Sequence, residues 1–157
     1  MKKILCCLLV AVMLSACGGD SKQANAPRKD GEKRVGDIIM VDGEFGVVFA
    51  VTTDGKHGKA MSISETKCDW STAKTWCTKL SYSWKLPTKD ELLVVYRKKS
   101  AVDSALSGNG YTTLSNGWYW ASESNGAVCA WSVYMGNGSS SYGNKNGNFS
   151  VRAVAVF

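Results

Sequence analysis

Six cysteines and a single histidine carry most of the nucleophilic and metal-binding capacity of this 157-residue chain. His57 stands alone in the stretch TDGKHG, where a solvent-facing turn residue is expected, and no Ser/His/Asp or Cys/His grouping can be assembled around it. The chain has no Cys-x-x-Cys, no second histidine at metal-ligand spacing and no Gly-rich phosphate loop at a strand–helix junction. Bond-making chemistry would need a nucleophile–base pair or a metal. None is written here, so no enzyme, no metal site and no cofactor are expected.

The cysteines divide by position. Lys2 and Lys3 precede an apolar run from Ile4 to Leu14 and then small residues ending at Cys17. This is the layout of a secretory signal, too short to serve as a membrane-spanning anchor. Its end, LSAC, resembles the lipobox of bacterial lipoproteins, in which the Cys thiol is acylated, palmitate being one such acyl group, and the signal is cut just before it. The resemblance implies a signal peptide over 1–16, lipidation at Cys17 and an outer-membrane location through that lipid, on the periplasmic or the cell-surface face. More than one acyl chain is implied, and two hold stably where one is marginal. An ordinary signal cut after Ala16, leaving Cys17 as a thiol, is the alternative.

Cys6 and Cys7 leave with the signal, so Cys68, Cys77 and Cys129 remain, an odd set in an oxidising compartment. Read across a helix, Cys68 and Cys77 are separated by roughly 13 Å, beyond the ~7 Å limit for a bridge. Cys77 with Cys129 is then the pairing to consider, with buried free thiols the alternative.

The elements that must position these residues follow from pattern. Residues 17–34 include GGDSKQANAPRKDGEK, without aromatic or β-branched residues, and read as a flexible tether reaching about 50 Å when extended. A single domain is expected over 35–157. Strands near 37–41, 46–52 and 58–64 are separated by Asp-Gly turns. Trp70, Ala73, Cys77 and Leu80 recur at helical spacing, predicting a helix that begins near Asp69 or Ser71. Thr88 followed by Glu91 forms a capping box for a second helix, KDELLVVYRKK, with acidic residues at its start and Arg97, Lys98 and Lys99 in its last turn. Short strands are expected near 118–122, 128–135 and 150–157, with GNGSSSYGNKNGN an exposed turn region between the last two.

Three segments in fixed order, WKLPTKDEL, WYWASES and the terminal VRAVAVF, together with the upstream DWSTAKTWCTKL, resemble a family of exported bacterial domains. That family is typified by the C-terminal domain of a bacterial collagen-like adhesin and is related in fold to C-type lectins and formylglycine-generating enzymes. The resemblance implies an α+β, C-type-lectin-like fold, two helices packed on short antiparallel sheets. The chain lacks the Glu-Pro-Asn, Gln-Pro-Asp and Trp-Asn-Asp triplets of calcium-dependent lectins, and Ca²⁺ needs such oxygen ligands. It also lacks the reactive Cys pair that formylglycine generators carry near the chain end.

What remains is a membrane-anchored, adhesin-like binding module of the cell envelope, with a glycan or an envelope protein as ligand. Tyr111, Asn116, Trp118, Tyr142, Asn144 and Asn146 are the candidate contacts, because aromatic faces stack on sugar rings and amides bond hydroxyls. A structural subunit of an envelope complex is the alternative, and an enzyme of formylglycine-generator ancestry ranks behind both. The formal charge is +6, and +4 once Lys2 and Lys3 are removed; this mildly favours acidic glycans or lipid surfaces. No basic stripe with interleaved aromatics suggests nucleic acid. In VRAVAVF both faces of the alternating strand are apolar apart from Arg152, which predicts a central strand with a partly buried guanidinium paired to a carboxylate, Glu91 or Glu123; an edge-strand arginine pointing to water is the alternative.

Cys17→Ser is expected to move the protein from the membrane to the soluble fraction with its fold intact. Sedimentation after a high-salt wash measures this, and continued retention on membranes would remove the lipobox reading.

Overall fold

The computed structural model describes residues 29–157, so the signal peptide, Cys17 and most of the tether lie outside the described residues. Among the described residues there are nine strands and three helices. β1 (Ile38–Val41), β2 (Glu44–Val51) and β3 (Gly58–Ser62) form a meander whose first turn, Asp42-Gly43, has φ of 47° and 85°. Two consecutive positive φ values are what a tight hairpin demands, and Asp-Gly supplies them. β4 (Thr66–Cys68) leads into α1 (Trp70–Leu80), followed by α2 (Lys89–Arg97) and α3 (Lys99–Gly108). The chain then runs through β5 (Trp118–Asn125), β6 (Cys129–Tyr134), β7 (Ser140–Asn144), β8 (Phe149–Val151) and β9 (Val154–Val156).

The strands make two sheets, β1-β2-β3-β9 and β4-β8-β5-β6-β7. One core cluster holds Val47, Phe49 and Met61 of the first sheet, Leu92 and Val95 of α2, Val102 and Leu106 of α3, and Tyr119 and Val133 of the second sheet. The other gathers Ala73 and Cys77 of α1 with Trp84, Leu86, Trp120, Ala130, Val151, Ala153 and Ala155.

The fold is α+β as expected, with five departures from the sequence reading. There are three helices rather than two. The expected second helix ends at Arg97, and Lys98 (φ −104°, ψ 8°) breaks the chain before α3, whose Val102 and Leu106 are fully buried one turn apart. Lys99 therefore opens α3 instead of closing α2. β7 forms within the Gly/Asn/Ser stretch because its main chain pairs with β6 from Ser140 opposite Val133 to Asn144 opposite Cys129. The sheets are not purely antiparallel, since β5 and β8 run parallel at Tyr119 and Ser150. The expected tether ends early: Lys33 N–H donates to Gly55 O (2.8 Å), and Gly36 N–H to Val48 O (2.8 Å).

The fifth departure is at the terminus. The expected single strand 150–157 is split between the two sheets, β8 pairing with β4 and β9 with β3. The alternation itself holds: Val151, Ala153, Ala155 and Phe157 belong to the α1-side cluster and Val154 to the other. Arg152 sits at the crossover and is fully buried. Its partner is neither Glu91 nor Glu123. Nε donates to Glu65 Oε2 at 2.8 Å, while the two terminal nitrogens donate to Ser62 O (3.2 Å) and Thr112 O (2.6 Å). Glu65 is available because it lies on the β3–β4 connection, beside the sheet-to-sheet step; the other two carboxylates are committed to α2. Thr88 and Glu91 complete the expected capping box (Glu91 N to Thr88 Oγ1 3.1 Å, Thr88 N to Glu91 Oε2 2.8 Å). Glu91 also meets Lys59 at 2.7 Å, and Glu123 accepts Lys89 N–H at 2.9 and 3.0 Å.

The three cysteines of the domain are free thiols, so the Cys77–Cys129 bridge is not formed. The helical distance for Cys68 and Cys77 does not apply either, because Cys68 ends β4, ahead of the Asp69 N-cap, and packs against the cluster that buries Cys77. Burial pushes the Cys77 thiol up to about 12, with the nearby Cys68 a further cause. It is a small apolar core residue.

Arg152→Met is expected to cost on the order of 3–5 kcal/mol in denaturant unfolding, because it strands Glu65 beside two carbonyls that lose their donors. A loss under about 0.5 kcal/mol is what an exposed position would give, and would show that the network does not hold the crossover.

Candidate functional site

The six residues singled out from sequence do not converge on one place. Tyr111 packs against the core cluster. Asn116 is exposed in the bend before β5, and Trp118 is half-buried with its ring 5.3 Å from Tyr134 and 6.4 Å from Phe149. Tyr142 is 57 % exposed on β7 and meets the edge of Trp131 at 5.8 Å. Asn144 and Asn146 share a concavity, and its main features come from residues that pattern reading placed elsewhere.

That concavity, about 430 Å³, lies where three segments meet: Asp69–Ser71 at the start of α1, Ala127 and Val128 in the β5–β6 turn, and Asn144–Asn146 at the end of β7 and in the turn to β8. Main-chain bonds hold the segments together, with Trp70 N–H donating to Lys145 O (2.9 Å) and Lys145 N–H to Val128 O (2.8 Å). The Trp70 indole is fixed by its Nε1–H to Ala121 O at 2.7 Å. The ring stays half-buried, and two ammonium groups bear on it, Lys74 Nζ at 3.3 Å and Lys145 Nζ at 4.7 Å from the centroid. Lys145 also donates to Gly126 O and Ala127 O, each at 3.0 Å, which ties the β5–β6 turn to the notch.

Electrostatics of the notch are set by that pair of cations. The Lys74 ammonium is held below its ordinary pKa, first by desolvation and then by the like charge of Lys145. Asp69, the carboxylate at the rim, accepts from Thr72 N (3.0 Å) and Thr72 Oγ1 (2.6 Å) as the α1 N-cap, and these bonds lower its pKa. Its charge is turned toward the helix. Asn144 accepts from Asn146 N–H at 2.9 Å, which leaves its amide NH₂ free to donate. An incoming group thus meets the Trp70 indole, two amides and Lys145, with Lys74 lying over the indole beside the notch. Such a surface suits a hydroxylated ring carrying an acidic substituent, because an anion between two cations relieves their repulsion.

A larger depression, about 590 Å³, is lined by Ile63–Lys67 and Thr112. Its carboxylate, Glu65, is occupied by Arg152 and by the Tyr119 hydroxyl at 2.8 Å, so it serves the crossover instead of a ligand.

Trp70, Lys74 and Lys145 were missed for separable reasons. Trp70 fits the buried stripe of α1, and only its place directly after the N-cap marks it as a residue at an open helix end. Lys74 and Trp70 are four apart on α1, a spacing that does bring side chains together. Lys145 carried no signal inside its low-complexity stretch.

A family model described as the Lcl C-terminal domain matches residues 40–155, which include all three helices, the notch and both sheets except for the first two residues of β1 and the last of β9. No curated protein matches the chain.

Replacing Lys145 by Met is expected to raise the Lys74 pKa part of the way toward its ordinary value, since removal of a like charge favours the protonated form while the desolvation persists. Titration of the Lys74 side-chain resonances by NMR measures it. An unchanged midpoint would mean that the two lysines act independently.

Proposed function

Because the chain belongs to the Lcl C-terminal domain family, we propose that it is an adhesin-like binding module with a C-type-lectin-like fold, exported and tethered to the outer membrane through lipid on Cys17. The Trp70 notch is its ligand site, and a glycan bearing acidic groups is the ligand. It works by binding alone, without catalysis, metal or cofactor.

The observation that carries this reading is the indole of Trp70 with Lys74 and Lys145 around it. The indole lines the notch beside the amides of Asn144 and Asn146, which are placed to bond hydroxyls, while Lys74 and Lys145 lie over the ring. The cations add attraction for a carboxylate or sulfate, which weakens with salt. The notch is built from turns on a bonded scaffold, the usual arrangement for recognition residues.

A glycan array probed with soluble protein beginning after Cys17 tests this. Saturable binding to acidic glycans is expected, weakened at least about tenfold by Trp70→Ala, which corresponds to loss of roughly 1.4 kcal/mol. Lys74→Glu, on an exposed helix position, separates loss of binding from loss of fold: it is expected to reduce binding while changing stability by no more than about 0.5 kcal/mol. Silence across the array, or binding indifferent to both changes, would remove the notch as the glycan site.

A further inference from the structure

Five Asn-Gly pairs occur in the domain, at Asn109, Asn116, Asn125, Asn137 and Asn146. An Asn-Gly peptide can deamidate without any catalyst, because glycine has no Cβ to obstruct ring closure and asparagine is a thermolabile residue. The reaction requires the glycine main-chain nitrogen to give up its proton and reach the asparagine Cγ. An N–H engaged with an acceptor is held away from that path.

The fold sorts the five pairs. Gly110 N–H donates to Ser107 O (3.1 Å), Gly138 N–H to Tyr134 O (2.9 Å) and Gly147 N–H to Asn144 O (2.7 Å). Two of the corresponding asparagine side chains are also engaged, Asn109 with Ala105 O and Asn137 with Ser139 N–H. Among the described residues, Gly117 and Gly126 have no acceptor for their N–H. Asn125 is half-buried and lies in β5 opposite Cys129, whereas Asn116 is exposed, outside any strand, with no side-chain hydrogen bond.

We infer that Asn116 is a site of spontaneous deamidation in the folded protein, a modification selected by the fold from five equivalent dipeptides. The Gly117 nitrogen, its proton lost to solvent base, bonds to Asn116 Cγ as the bond to the side-chain nitrogen breaks and ammonia leaves. One water then opens the five-membered succinimide at either carbonyl, giving aspartate or isoaspartate. Water is consumed and ammonia released, with no change of oxidation state. The product places a carboxylate next to Gly117, whose carbonyl accepts Met135 N–H at 2.9 Å at the entry to β5. The isoaspartate form adds a carbon to the main chain at that point and draws this anchor out of register. The inference is independent of the ligand reading.

Incubation of the purified full-length chain at mildly basic pH, followed by peptide mass mapping, tests it. Asn116 is expected to convert ahead of the other four, with incorporation of ¹⁸O from labelled water. In denaturant the five sites should react at similar rates. Gly117→Ala is expected to slow conversion on the order of tenfold. That variant should fold, because the added Cβ meets only Ser115 Oγ, at 3.2 Å, and Gly117 is not among the positive-φ glycines. If Asn109, Asn125, Asn137 or Asn146 leads in the folded protein, or if all five react alike there, the inference is overturned.

Discussion

The buried guanidinium of Arg152 is the constraint on which this domain closes. The chain changes sheets between Val151 and Val154, and at that step neither ladder can satisfy every polar group nearby. Arg152 supplies donors to Ser62 O, Thr112 O and Glu65, which joins the end of β3, the β3–β4 connection and the segment after α3. Tyr119 from the centre of the second sheet bonds the same carboxylate oxygen. Burying a charge is costly unless it is paired and hydrogen-bonded. Here the network is satisfied: no buried side-chain polar atom among the described residues lacks a partner.

From this crossover the remaining order follows through main-chain contacts. Lys85 and Val154 exchange hydrogen bonds of 3.0 and 2.8 Å, and Pro87 O accepts Ser122 N–H at 2.8 Å. The Leu-Pro segment is thereby laid between the terminal strand and β5. Two carboxylates, Glu91 and Glu123, then meet the N-terminus of α2, where exposed N–H groups and the helix dipole favour negative charge. The charges of the KDE run at the start of α2 are consumed by helix placement. The notch around Trp70 is lined instead by the opposite kind of segment, the small-residue turns at the end of the second sheet.

Those turns are more constrained than their composition suggests. A Cβ at Gly143 would come within 2.8 Å of Phe149, and one at Gly147 within 2.9 Å of the Asn144 carbonyl. Glycine at these two positions lets β7 and the following turn lie flat against Phe149 and Trp120, which fixes where Lys145 and Asn146 stand. The notch around Trp70 is in this sense a by-product of core packing.

How much of this the sequence determined divides by range. The Asp42-Gly43 hairpin, the Thr88–Glu91 capping box, the α1 stripe and the inward–outward alternation of the last strand are interactions between residues at most four apart or set by a two-residue period. Residue types at fixed short spacing are enough to write them. That Arg152 is buried and paired was legible in part: the apolar alternation pointed to a partly buried, paired guanidinium, while an edge-strand arginine facing water stayed open until the fold placed it. Which carboxylate it meets was not, because Glu65 lies 87 positions away and becomes its neighbour only when two sheets pack. The same holds for Lys145 over Trp70, for β7, and for the split of the final strand between sheets. Pattern in a sequence records which face of an element is apolar; the identity of what covers that face is decided only when distant elements bury it together.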